Sequence, residues 1–168
     1  MSTANAPNAG PVTALPLAPC VEFVAYPRSA IAASAAREWP DMPGQTLRDA
    51  AGRPTVLHFA PNRWLVPTPL PSLLLQLTAL ERSACGMLLE VEGKWQEVRI
   101  QAAHTRRILA SGIDVETILK SRDCAAVVLF DCPAILARHE ETFHLWIAAS
   151  FAQSFIEVTA ALPDPRPS

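Results

Sequence analysis

Frequent chain breaks are the feature of this sequence that most restricts its fold. Sixteen prolines and six glycines are spread over 168 residues, so few apolar runs continue for long. Both residue types interrupt regular structure, proline because it lacks a backbone N–H and glycine because its backbone is unusually free. The chain is therefore expected to fold from many short helices and strands.

Hydrophobic periodicity predicts strands and helices in mixed order between these breaks. Short or alternating apolar runs indicate strands, and apolar residues at helical spacing indicate helices. The predicted strands are Cys20–Ala25, Thr55–Phe59, Arg63–Val66, Met87–Val91, Trp95–Gln101, Cys124–Phe130, Ala134–Arg138 and Phe143–Ile147. The predicted helices are Arg28–Glu38, Leu70–Ser83, His104–Ala110, Asp114–Leu119 and Ser150–Leu162. This order is neither a βαβ alternation nor an all-β pattern, so the predicted class is α+β.

Turn and capping residues set several of the predicted boundaries. Pro61-Asn62 is a favourable turn dipeptide between two strands. Gly112 is placed to cap the helix before it, and Asp114 to cap the helix after it. Ser150 and Gln153 form a capping box for the last helix. The apolar stripe predicted along that helix consists of Phe151, Phe155, Val158 and Leu162.

One domain with loose ends accounts for the whole length. Residues 1–19 are rich in Ala, Pro, Asn, Ser and Thr, which predicts a disordered tail, and the three prolines in residues 163–168 predict a second loose end. Residues 20–162 form the predicted domain, with a loop over residues 41–53.

Composition excludes two classes of partner and suggests a third. The net charge is −2 without clustered Lys or Arg, which argues against nucleic-acid binding. No apolar run is long enough to span a membrane, and the N-terminus lacks the basic start of a signal peptide, so a cytoplasmic protein is expected. Only 18% of the residues are charged while 50% are hydrophobic. Apolar surface covered by another chain, or by a second copy, is therefore expected.

No catalytic or metal-binding motif is present, so the sequence predicts no catalytic residue and no metal site. The four cysteines lack zinc or redox spacing and are interpreted as buried free thiols. His139 and His144, which flank Glu140 and Glu141, could hold a metal, but an exposed polar hairpin explains them as well. Cys132 follows a carboxylate that would raise its pKa, which favours a structural role.

Two further groups have both a functional and a structural interpretation. His104, Arg106 and Arg107 could bind an anion at a helix start, or form a solvated basic face. Leucines point nearly all round the helix Leu70–Ser83, as in a helix covered on every side. Either the core or another chain could cover it. The candidate interface residues are Leu73, Leu74, Leu77, Trp64 and Trp146.

Four segments in order resemble the gamma subunit of heterotetrameric sarcosine oxidase. Phe59–Val66 resembles that family's "L-G-P-D-E-W-L-L" strand pair. Val98–Gln101 followed by Ile108–Val115 resembles its segment ending in "V-L-A-K-G-C-P-L-D-L". Cys124–Phe130 resembles its "C-x-x-T" strand, and Phe143–Ala152 its "F…V-x-R-S-F-A" strand-to-helix junction. The resemblance extends over most of residues 55–162.

This chain departs from the family pattern at several positions. Glu90–Gly93 stands where the family often has Asp-x-Ser-His, and Gln101–His104 replaces an "S-G-P-x-A" turn. Val127 replaces the Thr after the cysteine, and Ala149 the Arg before Ser-Phe-Ala. The chain therefore resembles a divergent member.

The resemblance implies a fold and a role. The gamma subunit is similar to the folate-binding domain of glycine-cleavage T-protein aminomethyltransferases, in which ferredoxin-like units of mixed or antiparallel sheet carry helices. FAD, FMN, NAD and tetrahydrofolate would belong to the other subunits, and no cofactor to this chain. The implied role is a non-catalytic accessory subunit docked on alpha and beta oxidase chains.

Two alternative functions remain open at this stage. A stand-alone folate- or pterin-binding protein would need an acid in a polar cavity, for which Glu90, Glu92 and Asp114 are the candidates. A small transferase working alone would need a paired acid and base, and no such pair has a spacing that supports it.

Overall fold

The computed structural model describes residues 11–26, 39–40, 42–139 and 142–163. Within these ranges, ten strands and four α-helices follow one another along the chain. The strands are β1 (Val12–Ala14), β2 (Val21–Ala25), β3 (Thr46–Arg48), β4 (Pro54–Ala60), β5 (Arg63–Val66), β6 (Gly86–Glu90), β7 (Trp95–Ile100), β8 (Cys124–Leu129), β9 (Cys132–His139) and β10 (Thr142–Ala148). The helices are α1 (Pro71–Arg82), α2 (Ala102–Gly112), α3 (Val115–Ile118) and α4 (Ala152–Ala160), with a 3₁₀ turn at Ala149–Phe151 before α4.

The strands form two five-stranded antiparallel sheets, which confirms the α+β prediction. Sheet A has the order β1-β7-β10-β9-β8, and sheet B the order β3-β4-β5-β2-β6. Every recorded strand pairing is antiparallel. Half of the neighbouring strand pairs are consecutive along the chain, as in the hairpins β8–β9 and β9–β10.

Three apolar clusters lie between four layers of the fold. In order, the layers are helices α2 to α4, sheet A, sheet B and helix α1. Because successive strand residues point to opposite faces, Leu136 of β9 packs towards α2 and α4, while Ile135 packs towards sheet B. Trp146 joins Ile135 in the cluster between the sheets. On the far side of sheet B, Phe23 and Leu77 pack in the third cluster. Each sheet is thus buried on both faces.

Residues with a left-handed backbone conformation form the tight turns between paired strands. Asn62 has φ +58° in the turn between β4 and β5, which confirms the predicted Pro61-Asn62 turn. Phe130 and Asp131 have φ +51° and +60° between β8 and β9. Positive φ at both central residues is the geometry of a two-residue hairpin turn, whose twist matches that of the strands.

Two predicted irregular segments contain strands. Val12–Ala14 of the predicted disordered tail pairs with β7, and Val12 is buried against the helix side of sheet A. The predicted loop 41–53 contains Thr46–Arg48, which pairs with β4. Each strand has only three residues, too few for a periodicity to be visible, and tertiary pairing determines both. The predicted helix Arg28–Glu38 lies outside the described residues.

Two predicted helix ends are wrong. Gly112 lies inside α2, which ends at an extended Ile113 instead of a glycine cap. Ser150 forms no capping bond: it lies in the 3₁₀ turn, and the Gln153 amide donates to Glu157. Of the apolar stripe predicted along the last helix, Phe155 is buried and Leu162 is partly buried, but Phe151 and Val158 are exposed. The buried face instead consists of Ala152, Phe155 and Thr159.

Candidate functional site

A cleft of about 910 Å³ lies between α2, α3 and the adjoining ends of β9 and β10. Its volume is within the range of roughly 300–1,000 Å³ that is usual for small-molecule sites. Leu109, Ile113 and Phe143 supply apolar wall, and Arg106 and Arg138 supply charge. We call this cavity the helix-side cleft. The remaining lining residues are Thr105, Ala110, Asp114, Val115 and Glu116.

The charged groups of the helix-side cleft are partly engaged with one another. The Arg138 Nη2 atom lies 3.2 Å from the Glu116 carboxylate, and its guanidinium carbon lies 5.6 Å from the centre of the Phe143 ring. Arg106 is exposed at the cleft. The Asp114 carboxylate accepts from the Thr117 backbone N–H at 3.1 Å and from its hydroxyl at 2.7 Å. These bonds hold the pKa of the Asp114 carboxyl below its ordinary value.

Asp114 is therefore chiefly a helix cap. The predicted N-cap role at the start of α3 is confirmed. Of the three acids considered for holding a pterin ring, only Asp114 lines this cleft. Glu90 ends β6 and Glu92 lies in the following turn, both exposed and both belonging to sheet B's edge. The three acids do not line one cavity.

A buried charge network centred on Glu22 is the polar feature that the sequence analysis missed. Glu22 lies on β2 and is fully buried. Its carboxylate accepts hydrogen bonds from Arg63 at 2.5 Å, from Lys94 at 2.5 Å and from the Trp95 indole at 2.6 Å. Burial on its own would raise the pKa of the Glu22 carboxyl, but these bonds outweigh burial and hold the pKa below its ordinary value of 4.5.

The Glu22 network joins the two sheets and has little room for chemistry. Arg63 lies on β5 of sheet B, whereas Trp95 lies on β7 of sheet A. An ionised carboxylate with a strong donor set accepts no further proton near neutral pH and is a poor general base. The one sequence signal was a charged residue within the apolar run Cys20–Ala25.

The five candidate interface residues divide between core and partly covered positions. Trp64, Leu77 and Trp146 are buried inside the chain, so packing within one molecule accounts for them. Trp64 also donates its indole N–H to the Pro40 carbonyl at 3.0 Å. Leu73 and Leu74 are half-buried against sheet B. The outward apolar residues of this region are Leu70 and Leu75, at 55% and 73% exposure.

The histidine pair proposed as a possible metal site receives no support from the described residues. Glu140 and Glu141 lie outside them. His144 Nδ1 lies 3.1 Å from a Glu97 carboxylate oxygen, and its ring stacks near Trp146. Within the described part of the chain, no group of three or more His, Cys, Asp or Glu side chains could hold a metal ion.

The cysteines are free thiols in mostly buried positions. Cys20, Cys124 and Cys132 are buried, and Cys85 is half-buried. Burial, aided by the Asp131 carboxylate, raises the pKa of the Cys132 thiol, which is the direction expected for a structural cysteine. Burial raises the pKa of Cys124 to about 11. These three thiols are therefore poorly reactive at neutral pH.

The basic residues at the start of α2 do not form one anion site. Arg107 donates to the carbonyls of Leu162 and Pro163 at 2.9 and 2.7 Å, and so ties α2 to the segment after α4. The same guanidinium lies 3.3 Å from His104 Nδ1. Arg106 instead faces the helix-side cleft. The group thus combines a structural tie with one residue of the cleft.

Among the described residues, none of the helices has the length and apolar character needed to cross a membrane.

Comparisons with known proteins identify a shared fold. No protein-family model and no curated protein sequence matches the chain. Six chains of solved structures do match. One is a chain of the heterotetrameric sarcosine oxidase from Corynebacterium sp. U-96, determined in complex with pyrrole 2-carboxylate. The two chains are 18% identical with a TM-score of 0.67, and the match covers 92% of this chain and 87% of that chain. This protein is therefore similar in fold to a chain of that enzyme.

Proposed function

We propose that this chain is a non-catalytic, gamma-like accessory subunit of a multimeric flavin-dependent oxidase acting on sarcosine or a related N-methyl amine. The observation that carries the proposal is the fold match, which covers nearly all of both chains. Such two-sided coverage means that the shared unit is the whole chain rather than a small domain of a large one. The four segments over residues 55–162 that resemble the gamma subunit are consistent with the same assignment.

The distribution of polar groups supports a non-catalytic role. Asp114 in the helix-side cleft is engaged as a cap, and Glu22 is sealed by three donors. A general base works best when its pKa lies near the operating pH, and the pKa of each of these carboxyls is held below its ordinary value. In this proposal FAD, FMN, NAD and tetrahydrofolate are carried by other subunits of the complex, in the cytoplasm.

The surface is consistent with a partner chain. Leu75, Met42 and Val128 are 73%, 61% and 61% exposed, and 18% of all residues are charged. Single exposed apolar residues are ordinary, but a subunit needs some apolar surface for its neighbours. Without its partners, the isolated chain is expected to self-associate at high concentration.

The proposal is tested by the chemistry of the complex purified through a tag on this chain from its own cells. We expect a flavin absorbance spectrum and oxygen consumption that depends on added sarcosine or another N-methyl amine. A mock purification from cells with an untagged chain serves as the control. A complex without flavin, or one inert towards every N-methyl amine offered, would remove the proposal.

A folate- or pterin-binding function is the second candidate, and the helix-side cleft is the observation that favours it. Its volume suits a small ligand, and Arg106 could meet a carboxylate of that ligand. A ligand that binds only the folded chain raises its unfolding temperature. Tetrahydrofolate should then stabilise the wild-type chain and stabilise Arg106→Gln less. An unchanged unfolding temperature at high ligand excess would rule this function out.

A further inference from the structure

We infer that the free edge of β8 is a docking site for an extended segment of a partner subunit, which would add to sheet A as a sixth strand. The existence of a partner rests on the proposed function; the position of the contact rests on the geometry of β8. The contact would centre on Ala126, Val127 and Val128, in the middle of an edge strand.

The hairpin geometry shows which backbone groups of β8 face outward. Leu129 pairs with Cys132 across the two-residue turn, so these two residues exchange hydrogen bonds. Bonding to β9 then recurs at every second residue, which leaves Val128 and Ala126 with their N–H and C=O groups directed away from β9. Cys124 confirms this alternation, because its N–H donates outward to the Gly44 carbonyl at 3.0 Å.

The chain covers the start of this edge but not its middle. Gly44 accepts from both Asp123 and Cys124, so the turn around Gly44 closes the first outward positions. Among the described residues, no hydrogen bond is recorded to the outward groups of Ala126 or Val128. An unpaired row of this kind is a template for another strand.

β8 also lacks the protective features that the other sheet edges carry. Its stretch Ala125–Leu129 contains no charge, proline or glycine, and its pairing with β9 has no register shift. By contrast, β1 and β3 have three residues each, and β3 has an irregular register. The fourth edge, β6, begins at a glycine and ends at Glu90. Edges are normally protected by shortness, bulges or charge.

A groove beside β8 indicates the chemistry of the added segment. It has a volume of about 570 Å³, and its lining includes the apolar side chains of Ile118 and Val127 and the basic residues Lys120 and Arg122. Alternate side chains of an added strand would enter it. The fitting partner is therefore an extended segment with apolar residues at alternate positions and a carboxylate for Lys120 or Arg122. Val128, which is 61% exposed, would pack against the side chains on the opposite face of the added strand.

The test uses the complex purified through this chain, with two edge variants and a matched control. Ala126→Pro removes an outward N–H, which sheet A does not use, and Val128→Lys adds an edge charge. We expect each to lower partner retention at least about tenfold, which is roughly 1.4 kcal/mol. Val158→Lys, on the exposed face of α4, should retain the partner. Unchanged unfolding temperatures would show that the edge variants fold.

Amide hydrogen exchange distinguishes a wrong docking site on β8 from a wrong assignment of the chain as a subunit. We expect protection at Ala126 and Val128 in the complex and fast exchange in the isolated chain. The docking site alone would be overturned if the edge variants form the complex normally and the Ala126 and Val128 amides of the wild-type chain still exchange fast in the complex. Protection that grows with the concentration of the isolated chain would assign the edge to a second copy. A wild-type chain that purifies alone would remove both the partner and this site.

Discussion

At the scale of residues, Glu22 is the position where the chain departs furthest from the usual rule for charged side chains. It is fully buried on β2, an interior strand of sheet B, whereas the side chains of Arg63 and Lys94 are 41% and 42% exposed. A buried carboxylate is tolerated only when donors replace its hydration. The three donors come from both sheets, so the charge at Glu22 is coupled to the way the sheets stack.

Replacing Glu22 by glutamine should destabilise the fold strongly. Glutamine keeps the shape but presents an amide N–H₂ to donors, and the charge-assisted bonds to Arg63 and Lys94 are lost. We expect a loss of about 2–3 kcal/mol in the free energy of unfolding, measured by urea denaturation of the isolated chain at low concentration. Glu116→Gln is the matched control, because Glu116 is 84% exposed. A loss at Glu22 no larger than the control's would contradict the network's role.

The lowered pKa of Glu22 determines the direction in which the free energy of unfolding changes with pH. Because the folded pKa of Glu22 is held below 4.5, the unfolded chain binds the proton more readily. The stability that Glu22 contributes is therefore fully present above 4.5 and is lost as the pH falls below it. The difference in unfolding free energy between wild type and Glu22→Gln should narrow in that range. A difference that widens on acidification would be inconsistent with a lowered pKa.

At the scale of elements, α1 shows how a leucine-rich helix can mislead. Leucines surround its axis, yet the structure gives them different environments: Leu77 is fully buried while Leu75 is 73% exposed. Periodicity identifies a helix but not which of its faces meets a sheet, because a run of leucines lacks the polar residues that mark the solvent side.

A pair of alanine substitutions on α1 measures this difference. Leu77→Ala should cost about 2–5 kcal/mol of unfolding free energy, because it leaves a cavity against sheet B. Leu75→Ala should change it by less than about 0.5 kcal/mol in the isolated chain. Thermal or urea unfolding gives both values. Equal losses would mean that α1 is not oriented as described.

Gly86, where β6 begins, is a position that requires the absence of a side chain. A Cβ atom there would lie 2.5 Å from the Val24 carbonyl oxygen and 2.5 Å from the Phe23 ring. The backbone oxygen cannot move without disturbing β2, so Gly86→Ala should cost about 1–3 kcal/mol. Met87→Ala, at an exposed neighbouring residue, is the control for this unfolding measurement. A neutral Gly86→Ala would show that β6 can move away from β2.

At the scale of the whole molecule, the sequence predicts the class and most elements but not the layering. Eight of the strands, the turn at Pro61-Asn62 and the helix cap at Asp114 follow from patterns of nearby residues. The two three-residue strands, the phase of α4 and the stacking of one sheet on the other depend on contacts between distant segments. Glu22 illustrates the limit, since its donors are 41 to 73 residues away in sequence.

The helix-side cleft likewise depends on contacts between segments that are distant in sequence. The sequence could name Asp114 as a cap because the cap and Thr117 are three residues apart. It could not show that Arg106, Arg138 and Phe143 share one cleft, since three separate elements bring them together. The free edge of β8 likewise follows from the order of strands, which hydrophobic periodicity does not encode.

The native mass of the tagged chain, purified gently from its own cells, distinguishes an accessory subunit from a protein that works alone. If the chain is an accessory subunit, its 18.2 kDa should appear within a much larger assembly containing at least two unrelated chains. The assembly should also absorb light as a flavoprotein. A colourless 18.2 kDa monomer that persists at high concentration would contradict the subunit role, and would leave this protein only with the fold that it shares with a chain of a sarcosine oxidase.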